Sequence, residues 1–314
     1  MTSLGQAGEV ETPAHGGRRP CACGEASASA VRAAGGRELL RCERCGLLAP
    51  KVVPDPAELA RWYRDGYWRR YQAEQRGPAR DNLYRHVLDV IERRRAHPGT
   101  LVDVGCGMGA LLRQARDRGW RGIGFEVSPE AVAQARAQGL EIYESAWPPC
   151  VLPDESADAV VLLNVLDHLP RPFAALEEAR RVLRPGGLLY VRVPNGPLHV
   201  RLGRLLSAVG LPEVTVVHLY GFGKRAFAYH LPRLGFTTVV VRTAPPSQED
   251  AYPSEGAVRG TIRRSLKRLD RLVYALSAAL RLDRAAWGPS IEVMAAKDSV
   301  ARSPVCSGDD GGRA

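Results

Sequence analysis

The sequence predicts an α/β fold, in which helices flank a parallel sheet, with a small cysteine-rich lobe before it. Two observations predict this architecture. Short apolar runs alternate with amphipathic helical patterns from residue 83 onward, and four of the seven cysteines lie within the first 45 residues. Alternation of strand and helix is typical of parallel sheets with helices on both faces, which bind ligands at the carboxyl ends of their strands.

Length and composition limit the classes of protein to consider. The chain has 314 residues, 45% of them hydrophobic, and a net charge of +10. This length suits one large domain with an appendage. No apolar run reaches the roughly 18 residues of a membrane span, and the first residues lack the pattern of a signal peptide. We therefore expect a cytoplasmic protein.

The first strand of the α/β region leads into a glycine-rich turn. Asp103 lies near the end of the apolar run, and glycines follow at alternate positions: Gly105, Gly107 and Gly109. Glycines allow sharp turns, and the helix that follows directs its free N–H groups to the same point. Glu126 ends the next apolar run, where a carboxylate can accept hydrogen bonds from a ribose diol. The pattern indicates a nucleoside cofactor, although a plain strand-to-helix turn would also use glycine.

Several further motifs, in order, resemble the class I S-adenosylmethionine-dependent methyltransferases. Asp158–Asn164 is similar to that family's fourth strand, and Val165–Leu169 to its V-L-E-H-L segment, with Asp in place of Glu. Arg181–Gly187 resembles the family's helix-to-strand turn, and Leu188–Asn195 the strand and exit loop after it. The glycine spacing also differs from the G-x-G-x-x-G of dinucleotide-binding proteins. The resemblance spans roughly residues 83–297.

This resemblance implies a fold and a cofactor site. The fold is a Rossmann-like seven-stranded sheet, parallel except for an antiparallel last strand, with Phe236–Val241 and Ser290–Lys297 as strands six and seven. The cofactor is S-adenosyl-L-methionine. Asp103 would orient its aminocarboxypropyl end, and Glu126 would hold its ribose. The remaining implied contacts are adenine at Ser145 and Ala146 and the methionine side at Asn164.

The amino-terminal cysteines form two close pairs: Cys21 with Cys23, and Cys42 with Cys45. Four thiolates on glycine-containing turns can bind zinc tetrahedrally, although the first pair is C-x-C where zinc ribbons use C-x-x-C. Some methyltransferases that resemble this chain carry such a ribbon before an aromatic-rich segment, here Trp62–Trp68. We predict structural zinc, with free thiols in a small loop-rich lobe as the alternative.

These motifs divide the chain into five parts. The predicted parts are a disordered tail at 1–19, a zinc-ribbon-like lobe at 20–53, a helical aromatic lead-in at 54–82, a methyltransferase domain at 83–297 and a disordered tail at 298–314. Residues 244–289 would be a helical insertion between the last two strands. Its residues 259–284 carry eight basic and two acidic residues beside one apolar stripe.

The basic stretch at 259–284 has three interpretations. It could pack on its own domain with a solvated basic face, contact a membrane surface or an anionic substrate, or form a dimer seam. Nucleic acid is disfavoured because aromatic residues do not alternate with the basic ones. The oligomeric state is not predicted.

Two histidines are candidates for proton removal from the methyl acceptor. His168 follows the fourth strand, and its ordinary pKa near 6.5 suits a general base, although it could instead cap the next helix. His218 lies in a loop that resembles one covering the acceptor pocket in related enzymes, and Tyr67, Trp68 and Tyr220 could shape that pocket. An acidic acceptor would need no base.

The sequence thus predicts an S-adenosylmethionine-dependent methyltransferase that acts on a small, anionic biosynthetic acceptor such as a sugar, a lipid or a secondary metabolite. O-methylation is marginally preferred. Two alternatives stay open: a nicotinamide-dependent oxidoreductase, which would share the glycine turn and Glu126, and a non-catalytic cofactor-binding scaffold.

Overall fold

In a computed structural model, the described part of the chain contains two β-sheets. The first has three strands and the second has seven. The residues that the structure describes are 21–33, 38–52, 54–71, 78–95, 97–208, 218–246, 268, 271–272, 274–276, 280 and 283–299.

The three-stranded sheet is antiparallel and carries the four amino-terminal cysteines at one end. Its strands are β1 (Ala28–Arg32), β2 (Glu38–Cys42) and β3 (Leu48–Pro50), in that order. Cys42 is the last residue of β2, and Cys45 lies in the turn to β3. The sheet therefore brings the second cysteine pair beside the first.

A run of short helices follows the small sheet. The helices are α1 (Pro56–Arg61), a π-helix at Trp62–Tyr67, α2 (Trp68–Tyr71) and α3 (Pro78–Glu92). Helix α1 begins at Pro56 because Asp55 caps it: the Asp55 carboxylate accepts the Ala57 N–H at 2.7 Å. The π-helix contains most of the aromatic residues of the predicted lead-in.

The seven-stranded sheet confirms the predicted Rossmann-like fold. Its strands are β4 (Thr100–Val104), β5 (Arg121–Glu126), β6 (Glu141–Glu144), β7 (Ala157–Leu163), β8 (Leu183–Pro194), β9 (Phe236–Thr243) and β10 (Ser290–Lys297). The spatial order is β6-β5-β4-β7-β8-β10-β9, and β10 runs opposite to the other six strands. The carboxyl ends of β4, β5, β6 and β7 therefore share one edge.

Helices cover both faces of this sheet. They are α3, α4 (Ala110–Asp117), α5 (Pro129–Arg136), α6 (Pro172–Val182), α7 (Gly196–Ala208) and α8 (Lys224–Arg233). Strand β7 has a continuous apolar sequence, ADAVVLL, because both of its faces are covered. One apolar cluster lies on each side of the sheet, and the cluster on the α6 and α8 side also includes Cys42 and Cys45.

The predicted basic helix at 259–284 lies mostly outside the described residues, as do the predicted tails. The described residues 268, 271–272 and 274–276 are helical, and Leu272, Leu276 and Leu280 are 52–65% exposed. None of the helices in the described part of the chain has the length and apolar character that a bilayer crossing requires. The domain boundaries given above stay predictions.

Candidate functional site

The glycine-rich turn joins β4 to α4. Gly105, Gly107 and Gly109 have φ angles of 69°, 54° and 76°, which side chains with a Cβ rarely adopt. The N–H groups of Gly105 and Cys106 both donate to the carbonyl oxygen of Phe125, at 2.8 and 3.1 Å. These bonds hold the turn against the end of β5, where Glu126 follows.

Close packing explains two of these glycines further. A Cβ on Gly105 would lie 2.5 Å from a methyl carbon of Val165, and a Cβ on Gly109 would lie 2.3 Å from one of Leu140. Protein atoms therefore fill the space on these sides of the turn. Gly105 and Gly109 contribute through the shape of the turn, whereas the Gly107 N–H donates to Glu126.

Glu126 is held by three backbone N–H groups. Its Oε2 accepts from Gly107 at 2.9 Å, and its Oε1 accepts from Val127 at 2.8 Å and from Ser128 at 2.9 Å. A carboxylate can accept about four hydrogen bonds, so capacity remains for a hydroxyl-bearing ligand. Because its orientation is fixed before any ligand binds, the carboxylate pays little entropy when it accepts a diol.

Asp103 is buried beneath the turn, with 4% of its surface exposed. Burial and then the nearby charge of Glu126 raise the pKa of Asp103 well above its ordinary value. A cationic ligand group beside Asp103 would reverse this shift by favouring the ionised carboxylate.

The other predicted cofactor residues follow neighbouring strands at the same edge of the sheet. Ser145 and Ala146 follow β6, and the Ser145 N–H donates to the carbonyl oxygen of Glu126 at 3.1 Å. Asn164 follows β7 with a φ of 54°, and its Oδ1 accepts from Arg192 at 2.7 Å. Their contacts with a cofactor stay predictions.

The loops after β7 and α7 bring the two candidate histidines together. His218 Nδ1 lies 2.5 Å from Asp167 Oδ2, and the rings of His218 and His168 are 3.8 Å apart. Asp167 is 1% exposed. Burial acts to raise the pKa of Asp167, but the charge and hydrogen bond of His218 outweigh burial, and the pKa is lowered. Asp167 is thus a buried carboxylate positioned to stabilise a protonated His218.

His168 contacts the aromatic lead-in. Its Nδ1 is 2.6 Å from the hydroxyl of Tyr63, and the Tyr67 ring centroid is 6.1 Å away. Burial and then the charge of His218 lower the pKa of His168 to about 3, so this imidazole is neutral at physiological pH. Helix α6 begins at Pro172 with Arg171 at its cap, so His168 does not cap that helix.

Sequence reasoning missed two members of this group, Asp167 and Tyr63. Asp167 is adjacent to His168, but its pairing with His218 spans 51 residues, and Tyr63 is 105 residues from His168. Of the predicted pocket residues, Trp68 is buried at 4% exposure, and the Tyr220 hydroxyl donates to the Pro170 carbonyl at 3.2 Å. Asp167, His168 and His218 each offer a ligand atom within 4.8 Å of the others, so they could also hold a metal ion.

The four predicted zinc ligands form one cluster. The Sγ atoms of Cys21 and Cys45 are 3.6 Å apart, and those of Cys23 and Cys42 are 3.4 Å apart. Tetrahedral zinc with bonds of about 2.3 Å needs sulfur atoms about 3.8 Å apart. Gly24 and Gly46 have φ angles of 78° and 73°, which turn the chain after each pair. The donor set and its spacing fit zinc.

Part of the chain is similar in sequence to known methyltransferases. Residues 102–191 match a protein family described as a methyltransferase domain. A ubiquinone biosynthesis O-methyltransferase from Xylella fastidiosa strain 9a5c is 33% identical over 135 residues, which cover 40% of this chain and 54% of that protein. One from Xanthomonas campestris pv. campestris strain B100 is 35% identical over 117 residues, covering 34% and 48%. The chain spans about half the length of these curated relatives.

Solved structures share the fold at low sequence identity. Magnesium protoporphyrin IX methyltransferase from Synechocystis PCC 6803, with bound S-adenosylhomocysteine, aligns with a TM-score of 0.51 at 12% identity and covers 77% of this chain and 99% of that one. The family match lies on β4 to β8, the strands that carry the glycine turn and Asp167. Residues 102–191 therefore match a methyltransferase domain in sequence, and the chain shares the fold of a solved methyltransferase.

Proposed function

We propose that this protein transfers a methyl group from S-adenosyl-L-methionine to an oxygen atom of a small biosynthetic acceptor. The observation that carries the proposal is the contact between the loops after β4 and β7. Gly105, in the glycine turn, packs against Val165. Asp167 lies two residues after Val165 and contacts His218. A cofactor cradle and a base with its own carboxylate therefore adjoin at one edge of the sheet.

The residues divide the work of such a reaction. The cofactor would supply an electrophilic methyl group on a sulfonium. Glu126 would accept hydrogen bonds from the ribose hydroxyls, and Asp103 would face the cationic aminocarboxypropyl end. His218 would take the proton of the acceptor hydroxyl at Nε2, the ring nitrogen opposite the one that contacts Asp167, while Asp167 stabilises the resulting imidazolium. His168, which stays neutral, would orient the acceptor together with Tyr63.

The acceptor class is inferred from the surroundings of the two histidines. Tyr63 and Tyr67 lie against His168, and Tyr220 is held beside Asp167 by a backbone bond of 2.9 Å. Aromatic rings favour a flat or apolar acceptor body. The curated relatives named above are O-methyltransferases of ubiquinone biosynthesis, which supports transfer to oxygen.

We further propose that residues 259–284 contact an anionic acceptor or the surface of an anionic membrane. Its support comes from the described residues of that stretch. Arg268 and Arg271 are exposed, and so are Leu272, Leu276 and Leu280. Basic and apolar side chains exposed together are typical of surfaces that bind anionic amphiphiles.

Structural zinc in the cysteine cluster is the second cofactor proposed. Four thiolates would complete a tetrahedral shell and leave no position for a substrate, so the metal would stabilise the lobe without taking part in methyl transfer. Free cysteines suit a reducing compartment, which supports a cytoplasmic location. Purified protein should contain one zinc per chain by elemental analysis, and replacing Cys42 and Cys45 together with serine should remove it.

Calorimetric titration tests the cofactor. S-adenosylhomocysteine should bind with micromolar affinity, while NADH, the ligand of the oxidoreductase alternative, should not bind. Preference for NADH would overturn the proposal. Binding without methyl transfer to any of a panel of phenolic, sugar and lipid-linked acceptors would favour the alternative of a non-catalytic scaffold.

A further inference from the structure

The cysteine lobe makes direct backbone contact with the loop that carries His218. Leu48, the first residue of β3, and Gly221 exchange two hydrogen bonds: the Leu48 N–H donates to Gly221 at 3.0 Å, and the Gly221 N–H donates to Leu48 at 2.9 Å. Gly221 is three residues after His218. The small sheet thus gains one more paired residue from the catalytic domain.

The fit at this bridge is close on both sides. A Cβ on Gly221 would lie 2.7 Å from the Cδ1 and 3.0 Å from the Cβ of Leu48, and 3.3 Å from the Cα of Gly196. Leu48 is 1% exposed. Gly221 is therefore enclosed between β3 of the lobe and the start of α7, and a displacement of β3 would be transmitted to it.

From Gly221 the connection continues to the base. The N–H of Tyr220 donates to the backbone carbonyl of Asp167 at 2.9 Å, and the carboxylate of Asp167 contacts His218. On the lobe side, Cys45 lies three residues before Leu48, and Cys42 accepts a bond from the Cys45 N–H at 3.5 Å. Two short chain segments and one bridge therefore link the cysteine cluster to the Asp167–His218 pair.

A second contact fixes the lobe to helix α8. Arg225 donates to the carbonyl oxygen of Glu43 at 2.7 Å, between the cysteines of the second pair. Its side-chain carbons lie against Gly46, where an added Cβ would be 3.5 Å from Arg225 Cδ. Cys42 and Cys45 also share an apolar cluster with Phe222 and Phe227. The orientation of the lobe on the domain is thus set at several points.

We propose that the cysteine lobe is a positioning element for the acceptor site, in which Leu48 and Gly221 hold the loop at His218 so that its ring meets Asp167. The lobe is too small to bury a core of its own, so its order depends on the metal that its thiolates bind. Loss of that metal releases β3, and with it one side of the His218 loop. The proposal rests on zinc binding and on His218 as the base of the proposed function.

Hydrogen exchange on the full-length protein tests this link without relying on activity. The zinc-loaded protein is compared with the protein after EDTA treatment. The amide of Gly221 should exchange at least about 10-fold faster after zinc removal, because it loses its bond to Leu48. The amide of Tyr220 should also exchange faster, because the released loop no longer holds its bond to the Asp167 carbonyl. The amides of Gly105 and Cys106 should keep their rates, since their partner Phe125 lies in another strand. Unchanged rates at Tyr220 and Gly221 would overturn the proposal.

If zinc removal unfolds the whole chain, the variant Arg225→Ala tests the same link with zinc still bound. It removes the contact with Glu43 from an exposed side chain, and Lys224→Ala is its matched control, because Lys224 contacts the Arg284 carbonyl instead. With zinc bound, Arg225→Ala should speed exchange at Gly221 about threefold or more, and Lys224→Ala should not. Equal rates in the two variants would argue against a positioning role.

A spectroscopic readout separates this proposal from the proposed function. In the zinc-loaded protein the proton between His218 Nδ1 and Asp167 should give a low-field NMR resonance, which is lost in His218→Gln. Zinc removal should weaken it. If the resonance responds to zinc but no acceptor is methylated, the link stands and the proposed function fails. A resonance unaffected by zinc would reject the link, whatever the activity.

Discussion

The cofactor half and the acceptor half of the candidate site are built in different ways. Asp103, the glycine turn and Glu126 all lie within 24 residues on two adjacent strands, and their contacts are local. Tyr63, Asp167 and His218 come from three distant segments, and the loop of the last is paired with a separate lobe. The first half can form from one β-α-β unit, whereas the second requires segments from residue 48 to residue 221 to come together.

Replacing His218 should have the largest effect, and this effect should be confined to the acceptor half. His218→Ala should lower kcat of methyl transfer by about 10² to 10⁴-fold, because the acceptor loses its base. S-adenosylhomocysteine affinity should stay within about twofold of wild type. His97, which lies before β4, provides the control His97→Ala. An unchanged kcat for His218→Ala would mean that the acceptor is deprotonated without a base.

Glu126→Ala should weaken ligand binding in the cofactor half. Loss of hydrogen bonds to a charged group costs roughly 1.5–3 kcal/mol, so S-adenosylhomocysteine should bind about 10- to 150-fold more weakly by calorimetry. Glu177→Ala is the matched control, since Glu177 is an exposed carboxylate on α6. If both variants bind like wild type, the ribose contact is assigned to the wrong residue.

His168 should make the stability of the acceptor half depend on pH. Its pKa is lowered to about 3 in the folded protein against 6.5 when unfolded, so the unfolded chain binds the proton more readily between these values. Stability should therefore fall as the pH drops below 6.5, by about 2 kcal/mol at pH 5.

The variant His168→Gln, which cannot take up this proton, should show a flatter decline in denaturant unfolding between pH 7 and pH 5. Asp167 also titrates in acid, but its pKa lies below this window in both states. Parallel declines in the two proteins would mean that His168 is accessible to protons in the folded state.

Replacing Asp103 with asparagine should have the smallest effect on stability. It should raise the free energy of unfolding but weaken cofactor binding. Its raised pKa means that the folded protein disfavours the ionised carboxylate, so stability is lost as the pH rises through the unfolded value near 3.9. Asp103→Asn should therefore raise the free energy of unfolding at pH 7 by about 1 kcal/mol. It should at the same time weaken cofactor binding. A destabilised variant would show that Asp103 is ionised in the free protein.

The contrast between the halves also explains how much the sequence could predict. Strand alternation predicted a parallel sheet flanked by helices, because this pattern is local. The resemblance of the ordered motifs implied the seven strands, and the predicted Phe236–Val241 and Ser290–Lys297 correspond to Phe236–Thr243 and Ser290–Lys297 in the structure. His168 and His218 could be proposed separately, yet the contact between their rings could not, because no local pattern links two loops 50 residues apart. For the same reason Tyr63 was not predicted as a partner of His168.

For some parts of the site, the sequence indicated which ligand the residues could bind but not which residues would pack around them. The four cysteines indicated a metal, although nothing in their spacing indicated that β3 would pair with Gly221. The glycine turn indicated a close ligand, while two of its three glycines pack against Val165 and Leu140. Packing partners depend on tertiary structure, which periodicity alone does not specify.

The bridge between Leu48 and Gly221 has a consequence for the biosynthesis of the protein. Its two residues are 173 positions apart, so the bond of β3 to Gly221 cannot form until 173 further residues have been made. At about 5 to 20 residues per second, synthesis of these 173 residues takes roughly 9 to 35 seconds. An open strand edge is a template for pairing with other chains, and β3 limits this hazard by being only three residues long.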